Sequence, residues 1–395
     1  MFECRYTINN MNIRRTLSLE NLTRTTFLFG PRQTGKTTLL RETFPGANWY
    51  DLLESDTFFR LSSRPRSIRD EIEAHIARAE KPIVIIDEIQ KLPVLLDEVQ
   101  LLIDRFGIVF VLTGSSARKL IRAGTNLLGG RARVRRLFPL TSHELGSVNL
   151  NRMLLYGSLP AIYFSDDPAD DLAAYCGTYL QQEVQQEGIV RRIDSFARFL
   201  RTAATMNAEL VNYEAVSSDS AVPARTVREY FSILADTLIA DVLEPYRRGK
   251  KRKAISTGKL FFFDVGVANA LRGVKGIGPG TSDWGKALEH FIFTELRAWL
   301  SYSRDDRPLS FWRTRHGVEV DFVIGDDTAI EVKSTPYPTE RHLSGLRAIA
   351  EEGPFARRML VFDGDQGAKP RNIDGIRLLP VEEFLERLWD NEFRV

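Results

Sequence analysis

Cysteine is nearly absent from this chain, since only Cys4 and Cys176 occur among 395 residues. Two cysteines so far apart argue against a disulfide framework and against a cysteine-based zinc site, and they suit a reducing cytoplasm. Long apolar runs are missing too: no stretch of about 18 uninterrupted apolar residues occurs, and the N-terminus lacks the charged-then-apolar pattern of a signal peptide. We therefore expect a cytoplasmic protein that does not cross a membrane.

A strong imbalance of charge is also missing. The formal net charge of +2 is too small to imply a nucleic-acid partner for the chain as a whole, so any such partner must depend on local basic patches. With 43% hydrophobic and 27% charged residues, the composition is that of an ordinary globular protein. A chain of 395 residues exceeds what one core usually organises, so we expect two or three domains.

The most informative stretch runs from Thr26 to Leu40 and reads TFLFGPRQTGKTTLL. Its centre matches the pattern GxxxxGK[ST], and the apolar run before it and the helical pattern after it are the context of a phosphate-binding loop. The two glycines of the pattern allow torsions and a close approach that a Cβ would block, so the loop amides can surround an anion at a helix N-terminus. The predicted nucleotide-binding residues are Gly30, Pro31, Arg32, Gln33, Thr34, Gly35, Lys36, Thr37 and Thr38.

A second apolar strand ends in two carboxylates. Residues Lys81–Gln90 read KPIVIIDEIQ, and four consecutive β-branched residues are typical of a strand buried on both faces of a parallel sheet. The acidic pair follows at the edge where α/β sheets bind ligands. We predict that Lys36 reaches the phosphates and that Thr37 and Asp87 hold Mg²⁺. Glu88 is then placed to orient or deprotonate the attacking water; a helix cap is the alternative for such a pair.

Three more residues are candidates for this site. Thr113 and Ser115 end the apolar strand in GIVFVLTGSS, where a hydroxyl would bond the attacking water or the γ-phosphate; a polar turn capping the next helix explains them equally well. Arg131, in GGRAR, would neutralise transition-state charge on the nucleotide of a neighbouring subunit, which requires a homo-oligomer. A solvated surface arginine is at least as good an explanation of that residue.

The middle of the chain reads as helix, turn and helix, followed by a basic hairpin. Three helical patterns lie within Phe196–Leu243, and Tyr246–Lys259 then reads YRRGKKRKAISTGK before a short apolar strand. This order is the outline of a winged helix, a fold that usually binds duplex DNA, here through salt-sensitive phosphate contacts. A charge run is otherwise a solvated loop. The predicted DNA-contacting residues are Arg225, Arg228, Arg247, Arg248, Lys250, Lys251, Arg252 and Lys253.

A further pattern follows the glycine-rich stretch Gly273–Asp283. Asp321, nine intervening residues and then Glu331-Val-Lys333 have the spacing of the PD-(D/E)xK metal nucleases. Asp321 and Glu331 are hard oxygen ligands that would place Mg²⁺ beside a phosphodiester. Lys333, on the same strand face as Glu331, would orient the water or stabilise the transition state. Glu289, on the preceding amphipathic helix, would complete the metal site or relay a proton. The alternative is an edge strand with ordinary surface charges.

These motifs together resemble a known family, the prokaryotic AAA-type ATPases that join a P-loop domain to a C-terminal domain with a restriction-endonuclease-like core. The matching segments, in order, are GPRQTGKTTLL, IVIIDEIQKLP, VLTGSSA, LLYGSLPAIY, TVREYFSILADTLI, LFFFDVGVANAL, GKALEHFIFTEL, EVDFVI and AIEVKS. The resemblance implies one residue set that binds and hydrolyses ATP and one nuclease-like set. These sets are Lys36, Thr37, Asp87 and Glu88, and Glu289, Asp321, Glu331 and Lys333.

The expected fold class is α/β: a P-loop NTPase domain with an AAA-type parallel sheet, then a helical and winged-helix part, then a small α/β restriction-endonuclease-like domain. The expected bounds are 1–138 for the ATPase domain, 139–193 for a helical lid, 194–272 for the winged helix, 273–283 for a linker and 284–395 for the nuclease-like domain.

The expected function is that of an Mg²⁺-dependent ATPase whose nucleotide state controls a C-terminal module that binds duplex DNA and, as a further option, cleaves it. The expected ligands are ATP and Mg²⁺, and a homo-oligomer is compatible with the sequence. The alternative is a STAND-like switch or scaffold that depends on nucleotide and whose nuclease-like domain cleaves nothing. A fold does not establish an activity, so the sequence leaves cleavage open.

Overall fold

The structure is a computed structural model that describes residues 5–8, 11–78, 82–115, 120, 128–179, 193–248, 255–364 and 367–394. The chain divides into two compact units. The first comprises Met1–Phe138 with Asp236–Leu238, and the second comprises Pro139–Ala235 with Ile239–Val395. Within the described residues, no helix combines the length and the apolar character needed to cross a membrane.

The first unit is built on a parallel sheet. Its strands are β3 (Thr25–Phe29), β4 (Asn48–Asp51), β5 (Val84–Asp87), β6 (Phe110–Gly114) and β7 (Ala132–Arg136), after an antiparallel pair β1 (Arg5–Ile8) and β2 (Met11–Arg14). The sheet order is β4-β5-β6-β3-β7, and every neighbouring pair is parallel. The carboxyl ends of all five strands therefore lie at one edge, where such sheets bind ligands.

Helices follow the strands of this sheet as in other α/β units. They are α1 (Lys36–Thr43), α2 (Ser55–Ser63), α3 (Ser67–Ala77) and α4 (Leu95–Phe106), with a 3₁₀ turn at Ile89–Lys91. Strands β3, β5 and β6 are buried at every position, as expected for strands covered on both faces. Their apolar side chains pack with those of α3 and α4 into one core.

The first half of the second unit is mostly helical. Its helices are α5 (Ser142–Leu145), α6 (Leu150–Tyr156), α7 (Pro160–Tyr163), α8 (Pro168–Ala174), α9 (Ile193–Thr205), α10 (Tyr213–Ser220), α11 (Ala224–Asp236) and α12 (Val265–Arg272). Short strands β8 (Glu209–Leu210), β9 (Ala240–Leu243) and β10 (Lys259–Phe262) accompany them, and β9 pairs with β10 in an antiparallel hairpin. Residues Leu159–Cys176 and the helices α9 to α11 contribute to the same core.

The second half of this unit is a mixed six-stranded sheet. Helix α13 (Ser282–Ser303) precedes strands β11 (Leu309–Arg313), β12 (Glu319–Ile324), β13 (Thr328–Lys333), β14 (Arg357–Phe362), β15 (Arg371–Ile373) and β16 (Ile376–Pro380), with helices α14 (Ser344–Ile349) and α15 (Val381–Trp389). The order is β11-β12-β13-β14-β16-β15. Pairs β13–β14 and β14–β16 are parallel, and the other three pairs are antiparallel.

The α/β fold class predicted from the sequence is confirmed: a parallel P-loop sheet is followed by helices and then by a small sheet. In the segment expected to be a helical lid, residues 139–193, the described part forms short helices, which are interrupted at Gly146 and Gly157. Both glycines have positive φ values of 71° and 73°, which end a helix readily. The expected domain bounds stay a prediction.

Candidate functional site

The phosphate loop joins β3 to α1 and takes a conformation that requires its glycines. Gly35 has φ 92°, in the left-handed region that glycine tolerates best. A Cβ on Gly30 would lie 2.4 Å from the carbonyl oxygen of Leu137, so only glycine fits beside that backbone. Gln33 also has a positive φ, of 62°. The loop thus turns sharply before the start of α1, and phosphate binding by its amides stays a prediction.

Two basic side chains donate hydrogen bonds to carbonyl groups of the loop: Lys36, which belongs to the loop, and Arg15, which lies before it in the chain. The Lys36 amine donates to the carbonyl oxygens of Gly30 at 2.7 Å and Pro31 at 3.0 Å. The Arg15 guanidinium donates to the carbonyl oxygen of Thr34 and, with its other nitrogen, to that of Phe138, both at 2.7 Å. Arg15 is only 4% exposed. No sequence pattern marked Arg15, because its partners lie far away in the chain.

Asp87 lies between two hydroxyl groups at the carboxyl edge of the sheet. Its Oδ2 accepts a hydrogen bond of 2.8 Å from Thr37, and its Oδ1 accepts one from Thr113. The Thr113 oxygen in turn accepts the backbone N–H of Glu88 at 3.1 Å. The phosphate loop, the end of β5 and the end of β6 are far apart in sequence, and these hydrogen bonds bring them together. Thr113 supports the acidic pair directly.

Glu88 follows Asp87 in a left-handed conformation, with φ 60° and ψ 44°. A non-glycine residue in this region is strained by about 1–3 kcal/mol and is frequently found at functional sites. Its carboxylate accepts a hydrogen bond from the Gln90 side chain, which is 5% exposed. A Cβ on Gly114 would lie 2.4 Å from the Gln90 Oε1 atom, so the glycine leaves room for this glutamine. Gln90 is a residue that the sequence analysis missed, although it lies within the quoted motif.

The remaining candidates of the first unit lie at various distances from this edge. Thr38 is half-buried in the first turn of α1, Arg32 is half-buried in the loop, and Ser115 is buried directly after β6. Arg131 precedes β7, whose first residue pairs with the first residue of β3. It thus lies at the amino edge of the sheet, opposite the loop, and its Nε atom donates to Asp104 at 2.7 Å. A role on a neighbouring subunit's nucleotide stays a prediction.

The second predicted site is a cluster of carboxylates on the C-terminal sheet, and a lysine lies among them. The Lys259 amine, at the start of β10, contacts three carboxylates: Glu289 on α13 at 2.9 Å, Glu319 on β12, and Asp321 on β12 at 3.7 Å. Glu331 on β13 accepts from Lys333. Neither Lys259 nor Glu319 was singled out from the sequence. The only available signal was a lysine that opens an otherwise apolar strand.

The electrostatics of this cluster follow from burial and mutual contact. Burial raises the pKa of Glu289 to about 7, against the lowering effect of Lys259. Burial and then the charge of Asp321 raise the pKa of Glu331 well above its usual range. For Lys259, burial alone would lower the pKa, but Glu289, Asp321 and Glu319 raise it above the usual value. Lys259 is therefore a buried cation at neutral pH.

The residues predicted to form a C-terminal metal site contact lysines and a backbone N–H in this structure, and their role as metal ligands stays a prediction. The Asp321 Oδ2 atom accepts the backbone N–H of Val332 at 2.8 Å, and its Oδ1 atom faces the Lys259 amine. Glu331 is ion-paired with Lys333. In the described ranges, no group of three or more histidine, cysteine, aspartate or glutamate residues could hold a metal ion. Asp321 and Glu331, the expected Mg²⁺ ligands, thus each lie beside a lysine amine.

The described members of the predicted DNA-contacting set each have an acidic neighbour. Arg225 lies 3.5 Å from Glu229, and Arg228 lies 3.5 Å from Glu214. The other two described arginines form the pairs Arg247–Glu244 at 3.3 Å and Arg248–Asp326 at 2.6 Å. All four arginine side chains are well exposed. Lys250, Lys251, Arg252 and Lys253 lie outside the described residues.

Comparison with protein families divides the chain in three. Residues 23–146 match the family described as AAA domain. Residues 147–277 and 284–384 match two families described as domains of unknown function, DUF8612 and DUF4143. Together with the parallel sheet and the phosphate loop, the first match assigns an AAA-type, nucleotide-binding ATPase domain to the N-terminal unit. The C-terminal match carries no statement about a nuclease.

Individual relatives and structures are more distant. The uncharacterized proteins Mb2031c of Mycobacterium bovis and Rv2008c of Mycobacterium tuberculosis are each 26% identical over 357 residues, which is 86% of this chain and 76% of theirs. Among solved structures, a Signal Transduction ATPase with Numerous Domains (STAND) protein with a tetratricopeptide repeat sensor, PH0952 of Pyrococcus horikoshii, has a TM-score of 0.25 at 15% identity. The match covers 76% of this chain, which spans about half of that protein, 48%.

A second solved structure is the replication initiator DnaA bound to AMPPCP and single-stranded DNA. It has a TM-score of 0.24 at 12% identity and covers 54% of this chain and 82% of that one. Both TM-scores are low, so neither likeness bears on what this chain does.

The contacts of Arg15 yield a first prediction. Arg15→Ala removes two charge-assisted hydrogen bonds and leaves two carbonyl groups without these donors, so we expect the first unit to lose about 2–4 kcal/mol of stability. We also expect affinity for a fluorescent ATP analogue to fall about 10-fold, since the loop is less firmly held. Thermal unfolding and fluorescence titration measure the two effects. The neighbouring exposed Arg14→Ala is the control, and equal effects of the two variants would contradict a role for Arg15 in holding the loop.

Proposed function

We propose that this protein binds and hydrolyses ATP with Mg²⁺ and that its nucleotide state controls a DNA-engaging module formed by the rest of the chain. The observation that carries the first part is the contact between Thr37 and Asp87, with an oxygen–oxygen distance of 2.8 Å. It brings a hydroxyl from the phosphate loop and a carboxylate from the next strand to one point. Both are hard oxygen ligands of the kind that Mg²⁺ takes in nucleotide sites.

The residues present fit such a cation and a triphosphate. Thr37 and Asp87 would hold Mg²⁺, which supplies neutralisation of phosphate charge when bound. The loop amides at the start of α1 would bind the phosphates, assisted by the helix dipole. The Lys36 amine already lies over the loop, on the carbonyl groups of Gly30 and Pro31. Lys36 is 6% exposed, so its charge acts in a site with little water.

Glu88 is the residue that we propose as the general base. It directly follows Asp87, and its backbone is fixed by Thr113 while its side chain is fixed by Gln90. A carboxylate held in this way can orient a water molecule toward the phosphate and accept its proton, a contribution of roughly 10²–10⁴-fold. The neutral amide of Gln90 positions the carboxylate without cancelling its charge.

Two substitutions separate binding from turnover. Lys36→Ala should abolish ATP binding, because the loop loses its only lysine. Glu88→Gln should leave binding intact and lower the turnover rate by at least about 100-fold, because the amide cannot accept the proton. Calorimetry and a phosphate-release assay measure these effects, with the exposed Glu20→Gln as the control. Normal hydrolysis by Glu88→Gln would exclude Glu88 as the base.

The DNA-engaging part of the proposal is supported by the arrangement that follows the helical segment. Helices α9, α10 and α11 and the β9–β10 hairpin occur in the order of a winged helix. Arg225 and Arg228 lie at the start of α11, where a recognition helix contacts DNA. The chain between β9 and β10 carries the basic sequence RRGKKRK, which would neutralise phosphates on a duplex.

Salt dependence tests this part. We expect the protein to bind a fluorescent duplex without sequence preference and to lose affinity steeply as salt rises, because phosphate contacts release counterions. Replacing Lys250, Lys251, Arg252 and Lys253 by alanine should lower the salt slope by about four, while replacing the ion-paired Lys286 should not change it. Fluorescence anisotropy over a salt series measures both. Affinity that does not depend on salt, or binding to anionic vesicles only, would contradict a DNA partner.

A second candidate function is a switch or scaffold that depends on nucleotide and cleaves nothing. The position of Lys259 among Glu289, Glu319 and Asp321 favours it, because a buried cation other than a metal ion already pairs with these carboxylates. The ATP site is the same in both proposals, so they differ only in what the C-terminal sheet does. Under this second candidate that sheet binds a partner.

A plasmid-nicking assay tests whether the C-terminal sheet cleaves DNA. With Mg²⁺ or Mn²⁺ present, we expect no nicking by the wild-type protein and none by Lys333→Ala, because the predicted metal ligands are paired with lysines. Nicking by the wild type that requires a metal and disappears in Lys333→Ala would establish the nuclease instead. Gel densitometry of supercoiled and open-circular plasmid measures the result.

A further inference from the structure

Lys259 is buried at the centre of the C-terminal carboxylate cluster. Its side chain is 4% exposed, and its amine lies 5.3 Å from the centre of the Phe311 ring. An ammonium removed from water in this way is stable only when it is paired, since the cost of burying an isolated charge is several kcal/mol. Glu289, Glu319 and Asp321 provide that pairing from two different elements. The lysine is therefore an integral part of the cluster.

The amine occupies the position that a metal ion would need. Mg²⁺ and Mn²⁺ require several oxygen ligands about a single point, and three carboxylates of this cluster are instead arranged about the Lys259 nitrogen. One carboxylate oxygen of the cluster, the Oε2 atom of Glu331, is buried and has no hydrogen-bond partner. This oxygen belongs to the carboxylate whose other oxygen accepts from Lys333. A divalent cation and the ammonium cannot share this space, because their charges repel at short range.

The position of Lys259 is fixed by the hairpin that carries it. Lys259 pairs with Leu243 across the β9–β10 hairpin. A Cβ on Gly258 would lie 2.4 Å from Val242, so glycine at this position lets the chain pass close to β9. On either side of the basic segment, the backbone N–H of Tyr246 donates to Phe311 at 2.6 Å and that of Ile255 donates to Arg313 at 3.1 Å.

We propose that Lys259 is the resident cation of this site and that it closes the C-terminal carboxylate cluster to divalent metal. The site is then a lysine-filled contact between the hairpin and the sheet, and it becomes a metal site only when the lysine is removed. This inference does not depend on the ATPase proposal, because its residues all belong to the second unit.

Binding of Mn²⁺ to substituted proteins tests the proposal. The full chain is used without nucleotide and in a Lys36→Ala background, so that the phosphate loop contributes no bound metal. Lys259→Met keeps the length and packing of the side chain but removes its charge. We expect no bound Mn²⁺ with Lys259 present, one Mn²⁺ per chain in Lys259→Met, and loss of that gain in Lys259→Met/Asp321→Asn. The amplitude of the electron paramagnetic resonance signal of free Mn²⁺ measures binding.

Lys286→Met is the matched control. Lys286 lies on the same helix as Glu289 but pairs with Glu209 outside the cluster, so its loss should leave Mn²⁺ binding absent. Two outcomes overturn the proposal: Mn²⁺ binding by the protein with Lys259 in place that Asp321→Asn abolishes, or no gain of Mn²⁺ binding in folded Lys259→Met.

A second measurement covers the case in which Lys259→Met does not fold. Three carboxylates lose Lys259 as a partner in that variant, so a fall in Tm of about 5 °C or more is expected. Acylation of lysines in the unsubstituted protein, followed by peptide mass spectrometry, reports the burial of the amine directly. We expect Lys259 to react at least about 10-fold more slowly than Lys286, and faster in Glu289→Gln/Asp321→Asn, because two of its partners are neutralised. Equal reactivity of Lys259 and Lys286 in the unsubstituted protein would overturn the proposal.

Discussion

The phosphate loop keeps its shape because three segments remote in sequence hold it. The Arg15 side chain binds the Thr34 carbonyl, and the Leu137 backbone stands against Gly30. On the other side, the Asp87 carboxylate accepts the Thr37 hydroxyl. The contacts of Leu137 and Asp87 exist because a parallel sheet brings the carboxyl ends of its strands to one edge, whereas Arg15 follows the separate β1–β2 pair. The glycines of the loop permit its sharp turn, and contacts with the ends of neighbouring strands stabilise that turn. Any change that shifts β5 or β7 relative to β3 therefore changes the nucleotide site.

Much of the first site was accessible from the sequence because its signals are local. The glycine spacing of the loop and the apolar run before Asp87 each depend on residues that are neighbours in the chain. Arg15 could not be found in this way, because nothing near it in sequence indicates contact with Thr34 or Phe138. Gln90 was equally hidden, since its role depends on a glycine at the end of another strand.

The C-terminal sheet shows a different limit of sequence patterns. The spacing of Asp321, Glu331 and Lys333 marked three residues that the structure has on the adjacent strands β12 and β13. The spacing of a motif does not show which side chains from other parts of the chain contact it. Lys259 lies on the separate β9–β10 hairpin, and its positive charge pairs with Glu289 and Asp321 although all residues of the motif are present.

The two acidic sites of the chain differ in how their charge is balanced, and this difference bears on what each can bind. Asp87 and Glu88 are held by the hydroxyls of Thr37 and Thr113 and by the amide of Gln90, which orient carboxylates but leave them negatively charged. Under our proposal, this site holds Mg²⁺.

On the C-terminal sheet, three cations already accompany the four carboxylates. Lys259 contacts Glu289, Glu319 and Asp321, while the other two pairs are Lys333 with Glu331 and Arg313 with Glu319. The cluster is thus nearly neutral, and a divalent ion would have to displace the buried Lys259 before it gained Glu289, Glu319 and Asp321 as ligands. Separating a buried ion pair is costly. A chain can therefore have the residue spacing of the PD-(D/E)xK metal nucleases and still exclude a divalent metal ion, because the partner of each carboxylate determines whether the metal can bind.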